Sequence, residues 1–267
     1  MERSEEQVRE NLQGVSFDGA IFRVRVDPFS LRLAVEVRDA VNRSVKYHLL
    51  NLSEGKLEFS SPVMDWWTGL NGLSGNDLYL FHFEDPALPV QKGVEVRRIP
   101  DFDQVFLHGS AEWITDCKDG FLIVDEAGNG VRWQKDGSTT QIPSGEMARE
   151  RERPEYRELS GCMSSVVRVP ENGWSEVLTD SPSLDKHPPF HSIASILEEN
   201  DRLLAAWHTQ LPDGLFQLVL GFWKAGNSIW SKVISSDRSG LDPEPFFVIG
   251  DQVIWMPERN QLSWLTL

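Results

Sequence analysis

Apolar residues recur with a period of two along most of the chain, which is the strand period. IFRVRV (21–26) and LRLAVEV (31–37) alternate cleanly around a DPFS turn. In regular pairing, Phe22, Val24, Val26, Leu31, Leu33, Val35 and Val37 share one face; Arg23, Arg25, Arg32, Glu36 and Arg38 point the other way. VKYHLLNL (45–52) and KLEFS (56–60) continue the pattern across an SEG turn. DLYLFHFED (77–85) and GVEVRRI (93–99) follow, joined by a loop with two prolines. DQVFLHG (103–109), EWITDC (112–117), GFLIVDE (120–126) and GVRWQKDG (130–137) come next, the last three separated by KDG and EAGNG. Four further strands are predicted over 191–199, 201–209, 214–223 and 227–234. No long stretch carries the helical period.

Other segments break this rhythm. Residues 1–18 read as a polar, helix-compatible lead. Residues 138–160 have few large apolar side chains and closely alternating charges, so they predict a long polar connection or one short helix cut by Pro154. CMSSVVRVP (162–170) and SEVLT (175–179) suggest strands, and SPSLDKHPPF (181–190) a loop. The close of the chain, PFFVIGDQVIWMPERNQLSWLTL (245–267), reads as three strands, the last running apolar to the final residue.

Short antiparallel strands in sets of four, about 45 residues per set, predict an all-β, β-propeller-like fold of about five blades, six being the other count. The blades fall near 20–60, 64–100, 101–140, 155–180 and 190–236, in a single domain over 1–267. The three closing strands then lack a fourth. Pairing of the two chain ends would supply it and order an apolar last strand. A β-sandwich is the alternative, because the charged face of the first hairpin suits a sheet wetted on one side.

Composition narrows the function. The chain of 267 residues carries ten Trp and fourteen Phe, so it needs packed surfaces. With 41 acidic and 26 basic residues the formal charge is −15. Nucleic-acid affinity rests largely on cations that neutralise phosphate, so no nucleic-acid partner is expected. Cys117 and Cys162 are too few for a disulfide framework and read as free thiols. The start, MERSEEQVRE, has no apolar signal core, and no apolar run approaches a membrane span. The expectation is a cytoplasmic protein without a membrane partner.

Four stretches carry a resemblance: AVEVRD (34–39), DWWTGL (65–70), DLYLFHFEDPALPVQKGVEV (77–96) and the closing 245–267. Together they resemble an uncharacterised bacterial family, mainly from Bacteroidetes, known as a domain of unknown function. The resemblance implies a propeller-like fold and brings no activity with it.

The candidate site residues are Trp66, Trp67, His82, Glu84, Asp185, His187 and His191. Trp66 and Trp67, read as adjacent strand residues, would point to opposite faces, one of them free to stack on a ligand. His82 and Glu84 share a face at i, i+2, a spacing able to hold a metal or an acid–base pair. DKHPPFH places His187 and His191 at an H-x-x-x-H spacing beside Asp185, but Pro188 and Pro189 prevent the helix that spacing needs. Glu36 and Arg38 read as a pair locking the first blade to its neighbour. No phosphate loop, nucleophile elbow or dinucleotide fingerprint occurs, and no cofactor or metal is predicted. A non-catalytic module binding an unknown protein or small molecule is therefore the expectation. The alternative is a hydrolase or lyase using the His and carboxylate candidates in a central depression.

Overall fold

The structure is a computed structural model. It describes residues 12–27, 29–85, 88–117, 120–152, 163–164, 167–169, 194–199, 201–225, 227–239 and 245–267. Strand β1 spans Leu12–Ser16. Sheet I is β2 (Ala20–Asp27), β3 (Arg32–Asp39), β4 (Ser44–Asn51) and β5 (Lys56–Ser60) in that order, with a short β6 (Met64–Asp65) also on β4. Sheet II is β7 (Thr68–Ser74), β8 (Asp77–Asp85), β9 (Leu88–Arg98) and β10 (Asp103–His108). Sheet III is β11 (Glu112–Cys117), β12 (Gly120–Val124), β13 (Gly130–Gln134) and β14 (Thr139–Ile142), followed by a short helix α1 (Met147–Arg151). After β15 (Met163–Ser164) comes sheet IV: β16 (Val167–Val169), β17 (Ala194–Glu199), β18 (Arg202–Gln210), β19 (Phe216–Lys224) and β20 (Asn227–Arg238). The closing strands are β21 (Phe247–Ile249), β22 (Gln252–Glu258) and β23 (Gln261–Thr266), and sheet V runs β1-β23-β22-β21-β15.

The protein is all-β and propeller-like: five antiparallel up-and-down sheets among the described residues. It divides into two compact units, residues 16–163 with sheets I to III, and residues 1–15 with 164–267, which hold sheets IV and V.

In the first unit the sheets stack in series. Leu78 and Leu80 of β8 pack with Ala34, Tyr47 and Leu49 of sheet I. Tyr79, between them in sequence, packs instead with Phe121, Val131 and Trp133 of sheet III. Sheet II is thus buried on both faces, which a two-layer sandwich does not allow for every strand. The sandwich alternative does not form.

In the second unit, Leu204, Leu218, Leu220 and Trp230 of sheet IV pack with Val248, Val253, Trp255 and Leu265 of sheet V. Strand β23 has β1 as its other neighbour, so the two ends of the chain do pair. Leu262 and Trp264 on one side of β23 and Leu265 on the other are buried, which accounts for an apolar terminal strand.

Several expectations are corrected. Strand β1 lies in the lead read as helix-compatible. β10 is the fourth strand of sheet II rather than the first of the next blade, because a tight turn folds Asp103 back onto Arg98. No separate blade forms over 155–180 among the described residues; β15 joins sheet V and β16 joins sheet IV. SEVLT, the 181–190 loop and Cys162 lie outside the described residues, as does the side chain of Cys117. The polar connection contains β14, and α1 turns Met147 and Glu150 inward, Glu150 pairing with Arg132 of β13. Phe22 does not share the buried face: the β2–β3 register shifts between Ile21 and Arg23, and Phe22 is 57% exposed.

Candidate functional site

The charged face of the first hairpin is buried at Glu36 and Arg38 and half-buried at Arg23, Arg25 and Arg32. Glu36 has no solvent exposure and Arg38 very little. Strand alternation points both toward sheet II, on the side of Ala34 and Tyr47. Arg38 Nε donates to Glu36 Oε1 at 2.6 Å, and the amide of Leu70 in β7 donates to Oε2 at 2.8 Å. The other arms of the guanidinium donate to the carbonyls of Trp66 (2.9 Å) and Thr68 (2.8 Å). Arg23 Nη1 stands 3.9 Å from Glu36. The pair therefore locks sheet I to sheet II, as expected, with every arm of the planar fork used.

A second ion pair, with a buried carboxylate, lies in sheet II. Glu95 of β9 is buried, accepts from His82 Nε2 at 2.8 Å and pairs with Arg97. Burial pushes the Glu95 carboxyl up, but the hydrogen bonds and charges of His82 and Arg97 outweigh it, and its pKa falls below the ordinary glutamate value. Between the two pairs, Tyr47 hydrogen-bonds Thr68 Oγ1 at 2.9 Å, and Thr68 donates in turn to the Asp65 carbonyl at 2.7 Å. Burial raises the Tyr47 pKa strongly, and the charges of Glu36 and Glu95 add to it. The phenol stays protonated and donates.

Aromatic side chains form the rim of this network. The Arg38 guanidinium lies 4.4 Å from the Phe22 ring centre and 4.8 Å from that of Trp66. Arg23 lies 4.9 Å from the Phe81 ring and 5.4 Å from Phe22. Phe81 in turn fills the space over Gly69, where a Cβ would stand 2.2 Å from its ring.

Of the candidates, Trp66 and Trp67 lie in a turn between β6 and β7, not in a strand, because the Asp65 side chain accepts the Trp67 amide at 2.8 Å. Both are half-buried. His82 is brought beside them: it pairs with Thr68 across the ladder, and the Phe83 amide donates to the Trp67 carbonyl at 2.9 Å. Glu84 lies on β8, its side chain outside the described residues; Asp185, His187 and His191 lie wholly outside them. Among the described residues no set of three His, Cys, Asp or Glu is placed to hold a metal, and no helix is long and apolar enough to cross a membrane.

Sequence reasoning missed Phe22, Arg23, Phe81, Glu95 and Arg97. A usable signal exists: V-E-V-R occurs twice, at 35–38 and 94–97, and both glutamates are buried and paired with the arginine two residues on.

Comparison with known proteins adds the following. A family model described as Domain of unknown function (DUF4905) matches residues 26–99, a segment that runs from the end of β2 through β9 and holds both V-E-V-R strands. No curated protein matches the chain. Among solved structures, a chain of the Mitotic Checkpoint Complex aligns at 10% identity over 96% of this chain and 91% of its own, with a TM-score of 0.37. The β-propeller domain of the Trilobed protease from Pyrococcus furiosus aligns at 10% identity over 90% of this chain and 64% of its own, with a TM-score of 0.32. Both likenesses are too loose to bear on function, and the fold stands on the strand order and stacking above.

Proposed function

We propose that the protein is a non-catalytic binding module for a protein partner, and that it binds through the end of sheets I and II where β2 and β7 begin. The observation that carries this reading is Phe22: a large aromatic side chain, 57% exposed, held on Arg38, whose position is fixed by buried bonds, and on Arg23, which stands 3.9 Å from Glu36. Trp66 and Trp67 lie in the turn at the same end. Aromatic and arginine side chains dominate interface energetics, and pre-ordered ones lose less entropy on association. The net charge of −15 speaks against a nucleic-acid partner. A hydrolytic reading is less well supported. Glu95 is held ionised by His82 and Arg97, whereas a general acid needs a raised pKa.

The test uses wild type, Phe22→Ser, Trp67→Ala and Leu57→Ser as baits in native lysate, with captured proteins quantified. Leu57 is an exposed β5 residue paired with Leu50, toward the other end of sheet I. The proposal expects a set of proteins kept by wild type and Leu57→Ser and reduced at least about tenfold by both rim variants. Equal capture by all four baits overturns it.

A further inference from the structure

The opposite face of sheet I carries a second feature that the binding end does not use. Val37 pairs with Lys46 and Asp39 with Ser44, so their side chains lie on the face away from Glu36 and Tyr47. There they line a cleft of about 380 Å³ together with Asp18, His48 and Val63. Small-molecule sites run from about 300 to 1,000 Å³, so the space suits a compact ligand.

The cleft is lined by charges of both signs that are left unused. Asp39 is spoken for: its carboxylate accepts from the amides of Val41 and Asn42 and from the Asn42 side chain, closing the β3–β4 hairpin. Among the described residues, Asp18 and Lys46 form no ion pair and the Ser44 hydroxyl no hydrogen bond. The cleft wall is firmly built. His48 is buried, its Nδ1 is tied to Ser60 Oγ at 2.9 Å, and its ring packs on Phe17 at 4.9 Å between centres. Burial and the nearby Lys46 hold its pKa down at about 4, so at neutral pH it adds no charge of its own. Gly19 brings the Asp18 loop against the end of β3, so closely that a Cβ would lie 2.7 Å from the Arg38 carbonyl oxygen.

We infer that this cleft binds a small zwitterion of the α-amino-acid type. Lys46 and Ser44 take its carboxylate, Asp18 takes its ammonium, and the Val37 and Val63 side chains border its carbon skeleton. A ligand with one charge would satisfy only one of the two unpaired groups. The cleft lies at the same end of sheet I as the proposed binding surface but on the opposite face, and the inference uses none of the Phe22, Trp66 and Trp67 contacts.

The purified protein is screened by thermal shift against the proteinogenic L-amino acids one at a time, with acetate and methylamine as single-charge controls. Hits are measured by titration calorimetry on wild type, Lys46→Met and Asp18→Asn. Both substituted side chains are exposed, so the fold is retained, which circular dichroism checks. The expected result is stabilisation by one or more amino acids and by neither control, with each substitution weakening binding about tenfold or more, the worth of one charge-assisted bond. Failure of every amino acid to bind, or binding unaffected by either substitution, overturns the inference.

Discussion

Replacing Arg38 with alanine probes the junction on which the binding end is built. The substitution leaves Glu36 fully buried with the Leu70 amide at 2.8 Å and Arg23 no closer than 3.9 Å. It also strips the Trp66 and Thr68 carbonyls of their donor. Removing one partner of a buried pair typically costs about 3–5 kcal/mol, mostly for the charge left behind. At a urea slope near 2–3 kcal/mol/M this shifts the unfolding midpoint of the first unit by about 1–2.5 M. Urea titration followed by circular dichroism reads the shift, and unchanged slopes confirm that stability alone has moved. The double variant Glu36→Leu with Arg38→Met removes both charges and keeps apolar volume. It should recover most of the loss and stand within about 1–2 kcal/mol of wild type. An Arg38→Ala cost below about 1 kcal/mol, or a double variant as unstable as the two losses summed, would refute the reasoning.

Two further outcomes follow. His48 has its pKa lowered to about 4, first by burial and then by Lys46, against an ordinary 6.5. The unfolded chain therefore binds the proton first, so stability falls as pH drops through 6.5 toward 4; His48→Asn flattens that slope, and an imidazole midpoint near 6.5 by NMR would contradict it. Gly69→Ala drives a methyl group into the buried Phe81 ring and should cost about 1–3 kcal/mol, with Phe81→Leu restoring part of it in the double variant; additive losses by urea titration would show that the ring was not the cause.

Much of the architecture was legible because period two is a strong signal and turn residues punctuate it. The closing stretch shows this best: three strands were readable, and the apolar run to Leu267 implied a partner, which β1 supplies. Register was not legible. One shift between Ile21 and Arg23 moves Phe22 from the core face to the rim, and alternation alone carries no sign of it. The fate of charges inside sheets was half legible. Glu36 and Arg38 were readable as a lock, whereas GVEVRRI was readable only as a strand, and the buried Glu95 with its Arg97 partner emerges from the packing. Trp66 and Trp67 were placed on a strand because the Asp65 turn that bends them depends on a side-chain bond, not on composition. His82 was singled out for its neighbour Glu84, yet its partner proved to be Glu95, thirteen residues along and on the next strand.

The most direct test of the central claim is hydroxyl-radical footprinting of the protein alone and with a captured binder. The account predicts lowered modification at Phe22, Trp67 and His82, with Leu57 and Leu107 unchanged. Protection confined to Leu57 and Leu107, with Phe22 and Trp67 still freely modified, would contradict it.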